Sequence, residues 1–344
     1  MKFTRTRGAA LVVGALIAVA AVIHLRDPAP TAAEKKVMDK YTKDMRRVCF
    51  GRFVMDMPEQ AEPKNGQMGY VFAEFQIDDK PKNLAQFNLA VGYKIEDLKK
   101  KAPYVERPMY YFDEAVGHSV RIVNQYTDER GDYFTPKAFV FLDGTTIQIE
   151  GVETNKREKY EQGFRAKLLD LLPRLKKLPE GEMPKEPGFC MVGAYIAGTN
   201  KNGENADLVM SLKGHPDFSF GVRTTVIDLA RSEPMLIDRE ASIVSQMGAM
   251  IKGVKTLRKR KFKINGQEAQ EWSVALPDAG GVEYKLHVEV RGVPNSSDQP
   301  EMDISMSVGG NGAEGWVPAS LSEGEALALW DALLNSIKLR PGAL

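Results

Sequence analysis

The residue types closest to a catalytic motif are Gly117-His118-Ser119, which match part of the Gly-x-Ser-x-Gly turn that carries a nucleophilic serine in many hydrolases. That turn needs a small residue on each side of the serine so that its strained backbone can pack. Arg121 stands where the second glycine belongs, and the segment runs directly into Val120–Val123, which has strand composition. The pattern therefore favours a turn before a strand over a catalytic Ser119.

The four histidines and two cysteines of the chain do not form a metal-binding pattern. No two histidines share a helix at ligand spacing, and His287 falls on the polar side of a predicted strand. Gly309-Gly310-Asn311-Gly312 is followed neither by Gly-Lys-Ser/Thr nor at once by a helix, so it predicts a turn and not a phosphate-binding loop. We expect no catalytic residue, no metal site and no cofactor.

Cys49 and Cys190, the only cysteines, each stand near the start of a strand-like segment in one half of the chain. In an oxidising compartment they are a candidate disulfide, worth up to roughly 4–5 kcal/mol in the chain-entropy model. Two buried free thiols are the alternative, because cysteine is among the most buried residue types. Spacing alone does not decide between them.

The densest group of cations is Arg258–Ile264. In a strand, Lys259, Lys261 and Lys263 would share one face, and Phe262 would lie on the other. The run fits either a solvated strand face or a patch for an acidic protein surface. Nucleic acid is not expected as a partner, because the formal net charge is only +1.

The N-terminus has the composition of an export signal. Lys2, Arg5 and Arg7 precede Gly8–Ile23, which carries no charge. Positive flanks stay in the cytoplasm, so the rest of the chain is expected in the periplasm. The apolar run is shorter than the about 20 residues of a spanning helix. Residues 1–33 are therefore either a cleaved signal peptide or an uncleaved anchor that tethers the protein to the inner membrane through residues 8–23.

Periodicity predicts a mixture of strands and helices in the first half. Val37, Tyr41 and Met45 indicate a short helix, and Asp143-Gly144 between two apolar runs indicates a tight hairpin. The predicted strands are Val71–Ile77, Phe87–Tyr93, Val120–Tyr126 and Ala138–Leu142, and the predicted helices are Ile95–Ala102 and residues 157–176.

The second half repeats this order. The predicted strands are Cys190–Ile196, Leu208–Leu212, Phe218–Thr224 and four more near 255–264, 268–276, 282–291 and 301–308. Ser232-Glu233-Pro234 predicts the start of a helix that runs to about Ile251, and Ser322–Glu325 is a capping box for a last helix. That helix should bury Leu327, Trp330, Leu334 and Ile337.

Pro179, Pro184 and Pro187 mark the strongest linker signal in the chain. We predict an N-terminal domain at 34–180, a linker at 181–188 and a C-terminal domain at 189–344. The expected fold class is α+β, with two domains of similar topology, each a mainly antiparallel sheet packed with helices, after the N-terminal signal or anchor helix.

The segments Cys49-Phe-Gly-Arg-Phe-Val-Met-Asp-Met-Pro and Gly188-Phe189-Cys190 resemble the immunity proteins cognate to the fourth family of type VI secretion lipase effectors. The resemblance extends over most of the chain after the leader. It implies a non-enzymatic periplasmic antidote that binds a cognate phospholipase, clamps it with both domains and blocks lid opening or substrate access. The partner-binding residues are not indicated.

Two other functions remain open from the residues alone. A general periplasmic chaperone or envelope assembly factor would bind several clients weakly. An exported hydrolase with dispersed catalytic residues would turn over a lipid or peptide, and Ser119 would be the first residue to test.

Overall fold

The computed structural model describes residues 31–78, 80–100, 108–128, 130–199, 203–247, 253–278, 280–312 and 315–344. The predicted leader segment Gly8–Ile23 lies outside these residues. Among the described helices, none is long and apolar enough to cross a membrane. The fold is α+β with mainly antiparallel sheets, which confirms the predicted class.

The N-terminal half (residues 31–177) begins with a helix and continues through ten strands. Its strands are β1 (Met45–Phe50), β2 (Phe53–Pro58), β3 (Ala61–Asn65), β4 (Met68–Tyr70), β5 (Ala73–Asp78), β6 (Tyr110–Ala115), β7 (Val120–Tyr126), β8 (Phe134–Leu142), β9 (Thr145–Gly151) and β10 (Leu175–Lys177). Its helices are α1 (Ala32–Thr42), α2 (Leu84–Lys100), α3 (Arg157–Tyr160) and α4 (Ala166–Leu171), with a π-helical turn (Glu161–Arg165) between the last two and a 3₁₀ turn (Leu172–Arg174) after them.

The C-terminal half (residues 188–344) also runs through strands, a helix, four long strands, a helix and a short closing strand. Its strands are β11 (Gly188–Met191), β12 (Ala194–Ala197), β13 (Glu204–Leu212), β14 (His215–Thr225), β15 (Lys255–Ile264), β16 (Gln267–Asp278), β17 (Gly281–Val290), β18 (Glu301–Val308), β19 (Gly310–Gly312), β20 (Gly315–Val317) and β21 (Lys338–Leu339). Its helices are α5 (Glu240–Met247) and α6 (Glu323–Ser336).

One antiparallel sheet of thirteen strands runs through both halves. Its order is β15-β16-β17-β18-β14-β13-β4-β5-β9-β8-β7-β6, and β3 also pairs with β13. The block β4-β5-β9-β8-β7-β6 therefore repeats as β13-β14-β18-β17-β16-β15. Residues of both halves share the main hydrophobic core, so the repeated blocks are packed as one unit.

Several local predictions are confirmed. The hairpin turn at Asp143-Gly144 joins β8 to β9, and both residues have positive φ. Ser322 and Glu325 form the capping box that begins α6, and the four predicted inward residues of the last helix and its C-cap are buried. The four strands β15 to β18 lie where alternation placed them.

The strand predicted at Phe87–Tyr93 is wrong, because α2 covers this segment. Phe87 and Val91 fit a period of two and also a spacing of four, and Ile95 extends the helical spacing. These three side chains are buried against Val123 and Phe139. Leu89 and Tyr93 instead remain 58% and 68% exposed.

The helix predicted from Ile95 begins already at Leu84, and the strand predicted from Val71 begins at Ala73. The helix predicted to residue 176 ends before β10.

Three further predicted elements differ from the structure. The helix expected from Ser232 begins only at Glu240, because the N–H groups of Leu236 and Ile237 bond side chains of the sheet. Its predicted end at Ile251 lies outside the described residues. The strand expected from Cys190 to Ile196 is two strands, since Gly193 with φ of 89° turns the chain back. In α1, Met38 is buried where Val37 was expected.

Candidate functional site: the junction of the two halves

The closing strands of the two halves are exchanged. β10, which ends the N-terminal half, pairs with β12 of the C-terminal half. β21, which ends the C-terminal half, pairs with β2 of the N-terminal half. Helix α6 also packs on α1 and on β2. Each half is therefore completed by the other, and the segment at 181–188 is not the only connection between them.

Cys49 of β1 and Cys190 of β11 form a disulfide at this junction, with their Cα atoms 5.7 Å apart. Both cysteines are buried beside Val54 and Leu178. Next to the bridge, the N–H of Gly51 donates to the carbonyl of Cys190 at 2.8 Å, and the N–H of Cys190 donates back to Gly51 at 2.7 Å. Backbone pairing and the disulfide thus hold the first strands of both halves together.

A buried arginine connects three separate parts of the chain. The Arg52 guanidinium donates to the Glu204 carboxylate through Nε at 3.0 Å and through Nη2 at 2.5 Å. Its Nη1 donates to the carbonyls of Gly198 and Ala343, at 2.8 and 2.9 Å. Burial raises the pKa of Glu204, and the hydrogen bonds and charge of Arg52 oppose that rise.

A second buried arginine fastens the C-terminus to the linker. Arg340 donates to the carbonyls of Pro184, Glu186 and Gly188 at distances between 2.9 and 3.1 Å. Burial lowers the pKa of Arg340, and the nearby positive charge of Arg52 lowers it further. Both arginines donate to backbone carbonyls of segments that are remote in the chain, so their role is to position the exchanged strands.

Arg52, Glu204 and Arg340 are not among the residues that the sequence predicts as functional. A signal for Arg52 was available, because it is the only cation within the apolar run Val48–Pro58. A cation in such a run indicates a buried, paired group. Its partner Glu204 lies 152 residues further along the chain, and spacing gives no hint of that pairing.

The predicted near-match to a nucleophile turn lies in the hairpin between β6 and β7. The carbonyl of Ser119 accepts from the N–H of Phe141 at 2.7 Å. Within the described part of the chain, no acidic residue or histidine bonds the Ser119 hydroxyl. A strand follows the serine where a nucleophile turn would begin a helix, so the geometry does not activate Ser119.

The basic run Arg258–Ile264 is β15, the strand at one end of the large sheet. Lys259 pairs with Glu240, and Lys261 pairs with Asp238 at 2.5 Å. Lysines on an edge strand discourage pairing with other chains, so the solvated strand face explains this side of the run. On the other side, Arg258 and Arg260 face inward toward acidic groups.

The inward arginines belong to a buried polar network centred on Glu271. Arg260 Nε donates to Glu271 at 2.6 Å, and Arg258 donates to Asp331 of α6 at 2.5 Å. Trp330 Nε1 also donates to Glu271, at 2.9 Å. The network attaches α6 to the sheet, so Arg258 and Arg260 are already engaged by acidic groups of the protein itself.

Two histidines have defined roles in packing. His215 lies between Tyr41 Oη at 2.5 Å and Ser320 Oγ at 2.6 Å, and so joins α1 to the segment before α6. His287 Nε2 bonds Asp303 at 2.9 Å. Ligand atoms of His287, Glu289 and Asp303 lie within 4.8 Å of one another, and they are the described group best able to hold a metal ion. Glu289 is already engaged by Arg239 and by the N–H of Leu236.

The fold and the junction define a two-domain α+β protein built on one shared sheet. A family model described as "Tle cognate immunity protein 4 N-terminal domain" matches residues 46–174, and the corresponding C-terminal domain model matches residues 182–342. The chain therefore belongs to the Tle cognate immunity protein 4 family, and it is an immunity protein of type VI secretion. The resemblance noted in the sequence is confirmed.

Solved structures agree with this assignment. The apo structure of the immunity protein TplEi of the type VI secretion system from Pseudomonas aeruginosa is 25% identical, covers 88% of this chain and 99% of its own, and has a TM-score of 0.67. The same protein complexed with an "L" peptide is 25% identical over 87% of this chain and 99% of its own, at 0.64. A Tle4-Tli4 complex, 23% identical over 87% and 99%, gives 0.70 and shares the fold. The search of curated proteins gives no match.

Proposed function

We propose that the protein binds a cognate Tle phospholipase effector in the periplasm and neutralises it. Both halves would clamp the effector and block the opening of its lid or the access of substrate. The observation that carries this proposal is the match of both family domains, over residues 46–174 and 182–342. The exchanged strands support it, because a preorganised pair of surfaces loses little conformational entropy when it binds.

The proposed action is binding without turnover. The described residues offer a hairpin serine without an activating partner, which gives no support to the exported hydrolase. Binding of several clients, as expected of a chaperone, also has no specific support. We propose the domain limits 34–180 and 189–344, with the linker at 181–188, as the two gripping units.

The proposed location is the periplasm, with residues 1–33 either removed or kept as an inner-membrane tether. Export would place Cys49 and Cys190 in an oxidising compartment where their bridge is stable. Mass spectrometry of the periplasmic and membrane fractions distinguishes a cleaved leader from an anchor. Alkylation of the denatured, unreduced protein should leave both cysteines unmodified, and modification of both would contradict the bridge.

A pull-down from periplasmic extract tests the partner. We expect one dominant protein with the Gly-x-Ser-x-Gly turn of a lipase, encoded beside the gene of this protein. A mixture of unrelated envelope proteins without a lipase would support the chaperone alternative and contradict the proposal.

A further inference from the structure

Val71 has a backbone conformation that its side chain disfavours. Four non-glycine residues in the described part of the chain have positive φ: Val71, Asp143, Asn265 and Asn295. Aspartate and asparagine tolerate the left-handed region, whereas a β-branched residue there is an outlier. Val71, with φ of 56°, is the only one of the four that the turn chemistry does not explain.

The turn at Val71 is fixed by backbone contacts between the two halves. The N–H of Val71 donates to the carbonyl of Gly203 in the C-terminal half at 2.6 Å. The N–H of Phe72 donates to the carbonyl of Tyr70, also at 2.6 Å, which closes a three-residue turn with Val71 at its centre. These bonds require the conformation but not the valine side chain.

Burial does not explain the valine either. Its side chain is 49% exposed, and Val152 beside it is 77% exposed. Both line a notch with a cavity volume of about 440 Å³, to which Gly203 and Asn205 of the C-terminal half also contribute. Strained residues that packing does not require concentrate at functional sites.

The notch is acidic. Glu74, Glu150 and Glu153 line it, and no described lining residue is a cation. Only Glu150 has a described ion-pair partner, Lys137 at 2.9 Å. Glu74 accepts from the neutral Gln67 amide and Glu153 from the neutral Thr127 hydroxyl, so neither carboxylate has a described ion-pair partner. Lys167 Nζ lies 5.9 Å from the centroid of the Phe72 ring, which also lines the notch.

We propose that this notch, at the junction of the halves, is a docking point for the effector. Its occupant is a segment that presents an apolar side chain beside a lysine or arginine, because the notch offers exposed valines within a rim of three glutamates. Val71 serves as an apolar anchor although a β-branched residue disfavours its positive φ. This proposal rests on the proposed function, since the occupant belongs to the effector.

The test uses the full mature chain and the lipase encoded in the neighbouring reading frame. Val71→Asn keeps the backbone conformation in a residue that prefers it and removes the apolar anchor. We expect the dissociation constant to rise about tenfold, as for a buried interface anchor, while the melting temperature stays equal or increases. Val71→Ile, the matched control, should bind like the wild type.

The glutamates give a second measurement. The double variant Glu74→Gln, Glu153→Gln should bind more weakly at about 0.1 M salt, and its affinity should depend less on salt than that of the wild type. Glu96→Gln on α2, which does not line the notch, should change neither quantity.

If Val71→Asn binds the lipase with unchanged affinity, the notch is not a docking point, and the proposed function still stands. Weaker binding together with a lower melting temperature also overturns it, because the side chain would then be structural. If the wild-type chain binds no lipase, both the proposed function and the proposed docking at the notch are contradicted.

Discussion

Helices α2 and α5 occupy equivalent positions in the two halves, but different interactions attach them to the sheet. Helix α2 of the N-terminal half has 17 residues and lies on its sheet through Phe87, Val91 and Ile95. Helix α5 of the C-terminal half has 8 residues, and none of its described side chains is fully buried. The first helix is attached by apolar contacts, and the second depends on polar bonds at its beginning.

These polar bonds tie the segment before α5 and its first residue to three strands. Asp238 bonds Lys261 and Gln270, and Arg239 pairs with Glu289. Glu240 pairs with Lys259 of the edge strand. A repeated topology therefore does not fix the type of attachment, and the outer faces of the two sheet blocks should respond differently to mutation and pH.

The attachments of α2 and α5 differ, but the connection between the two halves is symmetric. Each half gives its closing strand to the other, so damage at the junction should affect both halves.

The largest effect is expected from deletion of Lys338–Leu344. It removes β21 and the three charge-assisted hydrogen bonds of Arg340, which contribute about 1.5–3 kcal/mol each. Hydrogen exchange should show lost protection at Phe53 and Val54 in the N-terminal half. If only the C-terminal half loses protection, the exchanged strands do not join the halves energetically.

Arg52→Met should destabilise the protein by about 3–5 kcal/mol, because it leaves Glu204 buried without its cation. Since burial already raises the pKa of Glu204, the folded state of this variant favours the protonated acid. Stability is then present at low pH and is lost as pH rises through the raised pKa.

Urea unfolding of Arg52→Met between acidic and neutral pH measures this dependence. Arg47→Met removes an exposed pair with Asp56 in the neighbouring strand and should cost less than about 1 kcal/mol. Equal losses for the two variants would mean that the junction arginine is no more important than a surface one.

Phe87→Ala should destabilise the N-terminal half by about 3–5 kcal/mol, because it opens a cavity under α2. Ile243→Ala in α5 shortens a side chain that is only partly buried and should cost less than about 1 kcal/mol. Calorimetry of both variants measures the two losses of stability. Comparable losses would contradict the different attachment of α2 and α5.

Acid should loosen the attachment of α5 before that of α2. The hydrogen bond from Lys261, followed by that from Gln270, lowers the pKa of Asp238 below its ordinary value of 3.8. The stabilisation is present above that value and is lost as pH falls through the lowered pKa. Hydrogen exchange corrected for intrinsic rates should show α5 opening first, whereas simultaneous opening would contradict the comparison.

The sequence predicts those elements whose periodicity has one interpretation. In β17, apolar Tyr284, Leu286 and Val288 alternate with charged or polar residues, and the structure buries the apolar set. In α2, Phe87 and Val91 fit both the strand period of two and the helical spacing of four. Their packing against Val123 and Phe139 favours the helix.

The junction was largely beyond such inference. β21 has two residues and β10 has three, which is too short for any periodic signal. Their partners are remote in the chain, and the pairing depends on the packed core instead of on local propensity. Cys49 and Cys190 marked the equivalent strands, but the pairing of Arg52 with Glu204 and the bonds of Arg340 to the linker emerge only from the three-dimensional arrangement.

The most direct measurement is titration of the lipase encoded beside this gene with the purified mature protein, while phospholipid hydrolysis is followed. We expect complete inhibition at one molecule of immunity protein per lipase, with no hydrolysis by the immunity protein alone. Lipase activity that is unchanged at a large excess would contradict the proposed neutralisation.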